Sequence, residues 1–289
     1  MFAHLFSLSA IPTTTLNNGV VMPMISLGTW QYTPSVAKST VELGLKVGFN
    51  HIDTANDYKN QKGVGEALAG IDRSSYFLTT KVPSQSDAST AFDLTTKDLN
   101  DDISELGLDF VDLMLIHFPP RGNTLHCKAM QESWRAMEAF YAANKTRAIG
   151  VSNYCISSFE CILKTAKVVP AVNQVQYHIG MGTDPEKLFS YAKGKNVTMQ
   201  AYSPLGDGTS ELINGPLVSK IGAAHNKTGA QVSLHWVALK GVPLSTKSTS
   251  EAHLKGDLDI FDWSLSSSEV AELDAATTPK GNPSFMCTS

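Results

Sequence analysis

Val111-Asp112-Leu113-Met114-Leu115-Ile116-His117 is a short, mostly apolar run that stops on a polar side chain, and with the segments on either side it sets the architecture. Past a polar loop, residues 128–143 place apolar side chains at helical spacing, and residues 147–152 form a second short run that again ends polar, on Ser152. Runs of this kind fit strands buried on both faces, and a helix between two of them is the crossover that parallel pairing requires. The same unit recurs on either side. Strands are predicted at 24–28, 49–53, 77–82, 111–117, 147–152, 172–176, 198–202 and 242–246, eight in all. Helices are predicted at 35–47, 90–106, 128–143, 156–166, 185–193, 231–239 and 266–276, the last opened by a capping box from Ser266 to Glu269. Eight such units without a composition break predict an α/β fold of the closed kind, a (β/α)8 TIM barrel, as one domain over residues 1–289. Ahead of it, residues 13–24 read as an N-terminal β-hairpin covering one end, with Asn17, Asn18 and Gly19 tolerating positive φ at the turn.

Composition narrows the partners. The chain is 42% hydrophobic and 17% charged, with a formal net charge of −4 and no run of Lys and Arg, which speaks against nucleic acid. No stretch approaches the roughly 18 consecutive apolar residues that span a bilayer. Residues 1–11 are mildly apolar, lack an opening Lys or Arg and are short for a cleaved signal. Cys127, Cys155, Cys161 and Cys287 show no Cys-x-x-Cys pair or regular spacing, so reduced thiols in a cytoplasmic protein are expected, with no disulfide and no zinc site. A small-molecule partner and a monomeric chain are the resulting expectations. The glycine cluster Gly63-Val64-Gly65 lacks a third glycine and lies in a helical pattern, which excludes a Rossmann-type pyrophosphate loop.

In a TIM barrel the chemistry lies at the C-terminal ends of the strands. Asp53, Lys81, His117, Ser152, Asn153, Gln174, Tyr202, Lys247 and Ser248 all fall at or near such ends, so they converge on one mouth. Tyr58 stands five residues after Asp53, on a loop over that mouth. A phenol normally titrates near pH ~10 and is a poor donor at neutrality. A nearby ammonium lowers that pKa, and a carboxylate beside the ammonium keeps it charged and oriented. Tyr58, Lys81 and Asp53 are the side chains this arrangement needs, with the Tyr58 pKa expected below its ordinary value.

With these residues in view the sequence resembles the aldo-keto reductase family over nearly its whole length. The likeness rests on Leu16-Asn17-Asn18-Gly19, Leu27-Gly28-Thr29-Trp30, the block Phe49 through Ala55 with Tyr58 and Asn60 after it, Val64-Gly65-Glu66-Ala67-Leu68, Gly150-Val151-Ser152-Asn153-Tyr154, and Lys247-Ser248. The resemblance implies a nicotinamide-dependent reduction of an aldehyde or ketone to an alcohol, with Asp53, Tyr58, Lys81 and His117 as a catalytic tetrad and no metal. It implies a cofactor ring stacked on Tyr202, with the carboxamide held by Ser152, Asn153 and Gln174. Further cofactor contacts are implied for Gly28, Thr29, Trp30 and Asp53, for Ser203 and Leu205, and for Lys247, Ser248, Thr249 and His253. Trp30, Tyr58, His117 and Phe118 are implied to line an apolar, partly aromatic substrate pocket.

The chain departs from the family pattern in places. Phe118 stands where a tryptophan is usual, and Gln61 where glutamate is common. His253 falls where an arginine usually meets the adenosine 2′-phosphate. Imidazole is a weaker phosphate partner than guanidinium, yet Lys247 and Ser248 remain, so NADPH is expected ahead of NADH. Short segments at 119–127 and after Leu205 suggest an open pocket. Two rival readings of the same fold stay open: a nucleotide-binding regulatory subunit resembling potassium-channel β subunits, and a metal-dependent hydrolase. Against the second, Asp53 and His117 are too few ligands for zinc or manganese.

Overall fold

The computed structural model describes residues 11–120 and 126–281. The apolar start of the chain, Cys287 and part of the 119–127 segment lie outside them. The strands are β1 (Thr13–Thr15), β2 (Val21–Pro23), β3 (Ile25–Gly28), β4 (His51–Asp53), β5 (Phe77–Val82), β6 (Val111–Ile116), β7 (Thr146–Ser152), β8 (Val172–Gln176), β9 (Thr198–Tyr202) and β10 (Leu244–Thr246). The first two pair antiparallel as a hairpin, and β3 to β10 close in sequence order, β10 returning to β3, with every ladder in the barrel parallel. The fold is therefore the expected (β/α)8 barrel with an N-terminal hairpin.

The helices are α1 (Pro34–Val47), α2 (Gln61–Leu68), α3 (Ala91–Leu106), α4 (Cys127–Ala142), α5 (Ile156–Leu163), α6 (Leu188–Gly194), α7 (Ser210–Asn214), α8 (Pro216–His225), α9 (Gly229–Leu239), α10 (Glu251–Leu258) and α11 (Ser267–Asp274). Local chemistry sets their ends. Thr33 caps α1 ahead of Pro34, and α11 opens with the capping box that Ser266 and Glu269 foretold. A second capping box, Thr228 with Gln231, starts α9 two residues earlier than the apolar pattern indicates. Helices α7, α8 and α10 escape the periodicity reading, because they are short and α8 is set off by Gly215-Pro216. The segment after Leu205 is accordingly an elaborated one, carrying α7 and α8 before α9.

The Gly63-x-Gly65 pair has a packing role. A Cβ on Gly63 would meet the Pro34 carbonyl oxygen at 2.0 Å, and one on Gly65 would meet that of Leu106 at 2.3 Å. Only glycine lets α2 wedge its backbone between α1 and the end of α3. That wedge fixes the turn just before α2, from which Tyr58 projects.

At the base of the barrel, Leu16 and Met22 of the hairpin pack with Phe77, Leu113, Leu115, Ala148, Ala171 and Val172. The amides of Asn17 and Asn18 donate to the carbonyls of Pro170 (3.0 Å) and Arg147 (2.9 Å), pinning the hairpin to β7 and to the segment just ahead of β8. His51 is buried in this end, with Nε2 2.9 Å from Thr79 Oγ1 and Nδ1 3.3 Å from the Pro23 carbonyl.

The expectation of reduced cysteines fails for one pair. Cys127, at the start of α4, is joined to Cys161 of α5 in a disulfide with the Cα atoms 5.1 Å apart. Adjacent packing of α4 and α5 brings together two thiols that lie 34 residues apart in sequence, a spacing that carries no motif. Cys155 is free.

Candidate active site

Asp53 ends β4, and one ladder over, Lys81 lies in β5 with its side chain fully buried. Lys81 Nζ donates to Asp53 Oδ1, to the Thr54 carbonyl at 2.9 Å and to Tyr58 Oη at 3.3 Å. Burial opposes the lysine's charge, yet Asp53 and Tyr58 outweigh it and hold the ammonium above its ordinary pKa. Tyr58 closes a short 3-10 turn, Asn56–Tyr58, which ends on Lys59 in the left-handed region at φ 55°. The phenol is not lowered as expected. Burial pushes its pKa up, and Lys81 pulls it only part of the way back. The hydroxyl therefore carries its proton at neutrality, and the ammonium is poised to stabilise the phenolate once that proton has left.

His117 comes directly after β6, its amide donating to the Val82 carbonyl at 2.9 Å. Its ring meets Tyr58 edge-on, centroids 5.6 Å apart, and stacks on Phe118 at 4.5 Å. Nδ1 lies 3.0 Å from Asp57 Oδ2. Burial lowers the imidazole's pKa and Asp57 partly restores it, leaving the net shift downward. The four tetrad side chains thus stand in one cluster.

A second layer of amides and hydroxyls continues round the mouth. Gln174 Nε2 donates to Asp53 Oδ2 at 2.6 Å and to Gln200 Oε1 at 3.1 Å, so that it orients the carboxylate that orients Lys81. Ser152 Oγ donates to the Gln174 carbonyl (2.8 Å). Asn153, at φ 62°, donates to the His117 carbonyl (3.0 Å) and accepts from Tyr202 Oη (2.9 Å). The Thr29 hydroxyl is buried and donates to Thr54 Oγ1 at 3.0 Å, with Asn60 Nδ2 bracing the same turn through the Thr29 carbonyl (2.8 Å). Gly28 sits where a Cβ would meet Ser245 Oγ at 3.0 Å. Ser203 donates to Asp207, and Leu205 lies half-buried beside it.

Lys247, past β10, reaches across the rim to the Trp30 carbonyl (3.0 Å) and Gln31 Oε1 (2.8 Å), its ammonium 5.3 Å from the exposed Trp30 ring. Ser248 and His253 lie together on the same rim, Oγ 3.4 Å from Nδ1, while Thr249 between them in sequence is exposed. Tyr202, Lys247, His253, Trp30 and Phe118 all lie at or beyond the C-terminal ends of barrel strands.

Three features of the site escaped sequence reasoning. Asp57 gave no signal, since an acid in a polar turn is ordinary. Gln200 supports Gln174 from the next strand, a partner that only the β8–β9 register reveals. Gln61 does more than stand in for a glutamate: it accepts from Thr80 Oγ1 (2.5 Å) and donates to Asp102 Oδ1 (2.8 Å), while Asn56 donates to the same oxygen at 2.6 Å. The buried Asp102 carboxyl on α3 is pushed up to about 7 by burial. Among the described residues no group of three or more His, Cys, Asp or Glu is placed to hold a metal ion, and no helix is long and apolar enough to cross a membrane.

A (β/α)8 barrel with a buried Lys–Asp pair, a phenol and an imidazole at its mouth defines an oxidoreductase class of barrel, and comparison with known proteins agrees. The Aldo/keto reductase family model matches residues 24–278, and the chain belongs to that family. It is 35% identical over 268 residues to an uncharacterised oxidoreductase, YtbE, of Bacillus subtilis, covering 90% of this chain and 91% of the relative. It is 35% identical to the glyoxal reductase of the same organism over 266 residues, 91% of this chain and 92% of that one. Among solved structures, an aldo-keto reductase from a Medee basin deep-sea metagenome superposes with a TM-score of 0.84 at 30% identity, over 93% of this chain and 96% of the other.

Proposed function

We propose that the protein reduces an aldehyde or ketone to an alcohol with NADPH, using Tyr58 as the proton donor. The observation that carries this reading is the chain of contacts Gln174–Asp53–Lys81–Tyr58, which holds a buried ammonium against a phenol that keeps its proton at neutrality. A nicotinamide cofactor supplies the hydride when bound. The residues present fit such a group: the rim offers a cation, two hydroxyls and an imidazole at Lys247, Ser248, Thr249 and His253, the chemistry a nucleotide phosphate requires. Deeper in, Gln200 carries a buried Nε2 without a partner among the described residues.

The chain's own residues supply the rest. Tyr58 Oη and, when protonated, His117 grip the carbonyl oxygen of the substrate, and Trp30 and Phe118 exclude water from its apolar side. Negative charge develops on that oxygen as the carbonyl carbon is reduced, and Tyr58 gives up its proton to it. Lys81 stabilises the phenolate left behind, and Asp53 holds Lys81 in place and charged. Ser152, Asn153 and Gln174 serve as the hydrogen-bonding wall beside Tyr202. Lys247 leaves Trp30 and Gln31 to meet a phosphate, which makes NADPH the better coenzyme despite His253.

The test is consumption of NADPH and of NADH against a panel of aromatic and aliphatic aldehydes, with Tyr58→Phe in parallel. Turnover that requires Tyr58 and is faster with NADPH is expected. Turnover unaffected by Tyr58→Phe, or none with any carbonyl, would overturn the reading.

A further inference from the structure

The contact between His117 and Asp57 has a chemical consequence for the site proposed above, and the inference rests on that reading. Asp57 lies in the same 3-10 turn as Tyr58, and its Oδ2 is 3.0 Å from His117 Nδ1. A carboxylate only accepts, so the nitrogen facing it must carry a proton. A neutral imidazole has one proton to place. Held on Nδ1 by Asp57, that proton is unavailable at Nε2, which is then a lone pair and cannot donate to a carbonyl oxygen.

We propose that Asp57 is a positioning residue that fixes His117 as the Nδ1–H tautomer, so that His117 donates to a substrate carbonyl only in its cationic form. Carbonyl reduction then depends on the protonation of His117, whereas without Asp57 the neutral ring is free to place its proton on Nε2 and donate at any pH.

The other charges around the ring set its titration and not its tautomer. Lys81 of β5 lowers the imidazole's pKa, Asp53 of β4 and Asp57 of the turn raise it, and burial brings the net value below the ordinary one. The two carboxylates differ in kind, because Asp57 hydrogen-bonds the ring directly and Asp53 is committed to Lys81 and Gln174. Asp57 itself is partly exposed, its side chain 46% accessible, so its charge is screened. Its effect on which nitrogen holds the proton is geometric and survives that screening.

The experiment uses the full chain labelled with 15N at histidine, the His117 signals being assigned by their loss in His117→Gln. In the wild type above the His117 titration, the 15N shifts should report Nδ1–H. In Asp57→Ala they should move toward Nε2–H. Asp57→Asn, whose amide oxygen still accepts, should retain Nδ1–H while the titration moves down for the lost charge. In parallel, wild-type kcat/KM for an aldehyde should fall as pH rises through the His117 titration, by up to about tenfold per unit where the slope is steepest. In Asp57→Ala that limb should be flat. An Nε2–H pattern in the wild type, or the same tautomer in wild type and Asp57→Ala, overturns the proposal. So does an unchanged pH limb in Asp57→Ala. Because the tautomer is read without turnover, absence of any carbonyl reduction would defeat the proposed function while leaving the assignment of Asp57 to be decided by the 15N shifts.

Discussion

At the base of the barrel His51 lies between Thr79 Oγ1 and the Pro23 carbonyl, whereas at the mouth His117 lies against the carboxylate of Asp57. Both rings are buried, and burial depresses both, His51 to about 4. Strand β4 carries His51 at one end and Asp53 at the other, and β5 carries Thr79 low and Lys81 high. The base is closed with an apolar plug and carries the buried Asp112 carboxylate paired with the part-exposed Arg73 and Arg147, whereas the mouth holds an ion pair, Lys81 with Asp53, in which both side chains are buried. A buried charge pair is weak evidence for stability. Among the described residues only the mouth's pair has both side chains buried, which marks that end as the one where charge is used.

The sharpest way to break the comparison is to remove charge at the mouth. Lys81→Met leaves Asp53 buried with only part of its pairing and should cost about 3 kcal/mol of stability, as read by urea denaturation. Adding Asp53→Asn to it should recover much of that loss, while neither variant regains activity. A double variant no more stable than the single one would mean that the pair is structural, like the base.

Next in size is the base itself. Because the folded pKa of His51 lies below its unfolded value of ~6.5, the unfolded chain binds the extra proton. The contribution is fully present above that pH and is lost as pH falls toward about 4. A loss on the order of 2 kcal/mol between pH 6.5 and 4 is expected in the wild type, and a smaller one in His51→Gln, with activity at pH 7 retained. A His51→Gln variant as acid-labile as the wild type would show that His51 plays no part in the acid sensitivity.

A further effect concerns Asp102, outside both ends, whose shift has the opposite sign. Its folded pKa is raised to about 7, so its stabilising contribution is complete below ~4 and is lost as pH rises through 7. Asp102→Asn should raise the melting temperature at pH 8 and leave it nearly unchanged near pH 4. A gain of the same size at both pH values would assign the effect to packing.

The barrel was legible because short runs of strand character alternate with segments of helical periodicity, and β5, β8 and β9 have the expected bounds even though each carries buried polar residues such as Lys81, Gln174 and Gln200. The expected strand at 49–53 starts later, at His51, because Phe49 and Asn50 continue the buried run without entering a ladder. Asp53, Lys81 and His117 were readable from their positions at strand ends. The features that were not legible depend on which elements lie side by side and in what register. The contact of Lys247 with Trp30 spans the β10–β3 seam, the Gln200 support crosses two strands, and the Cys127–Cys161 disulfide depends on how α4 and α5 lie side by side. The sign of the Tyr58 shift belongs with these, because the sequence reveals the neighbouring ammonium and conceals the depth of burial that outweighs it.

The central claim, that the mouth's charge serves a proton transfer through Tyr58, is tested most directly by single-turnover reduction in Tyr58→Phe with cofactor affinity measured on the same sample. The expected result is an NADPH affinity within about twofold of wild type and a hydride-transfer rate lower by roughly a thousandfold, on the scale of a lost general acid. An unchanged rate at unchanged affinity would contradict it.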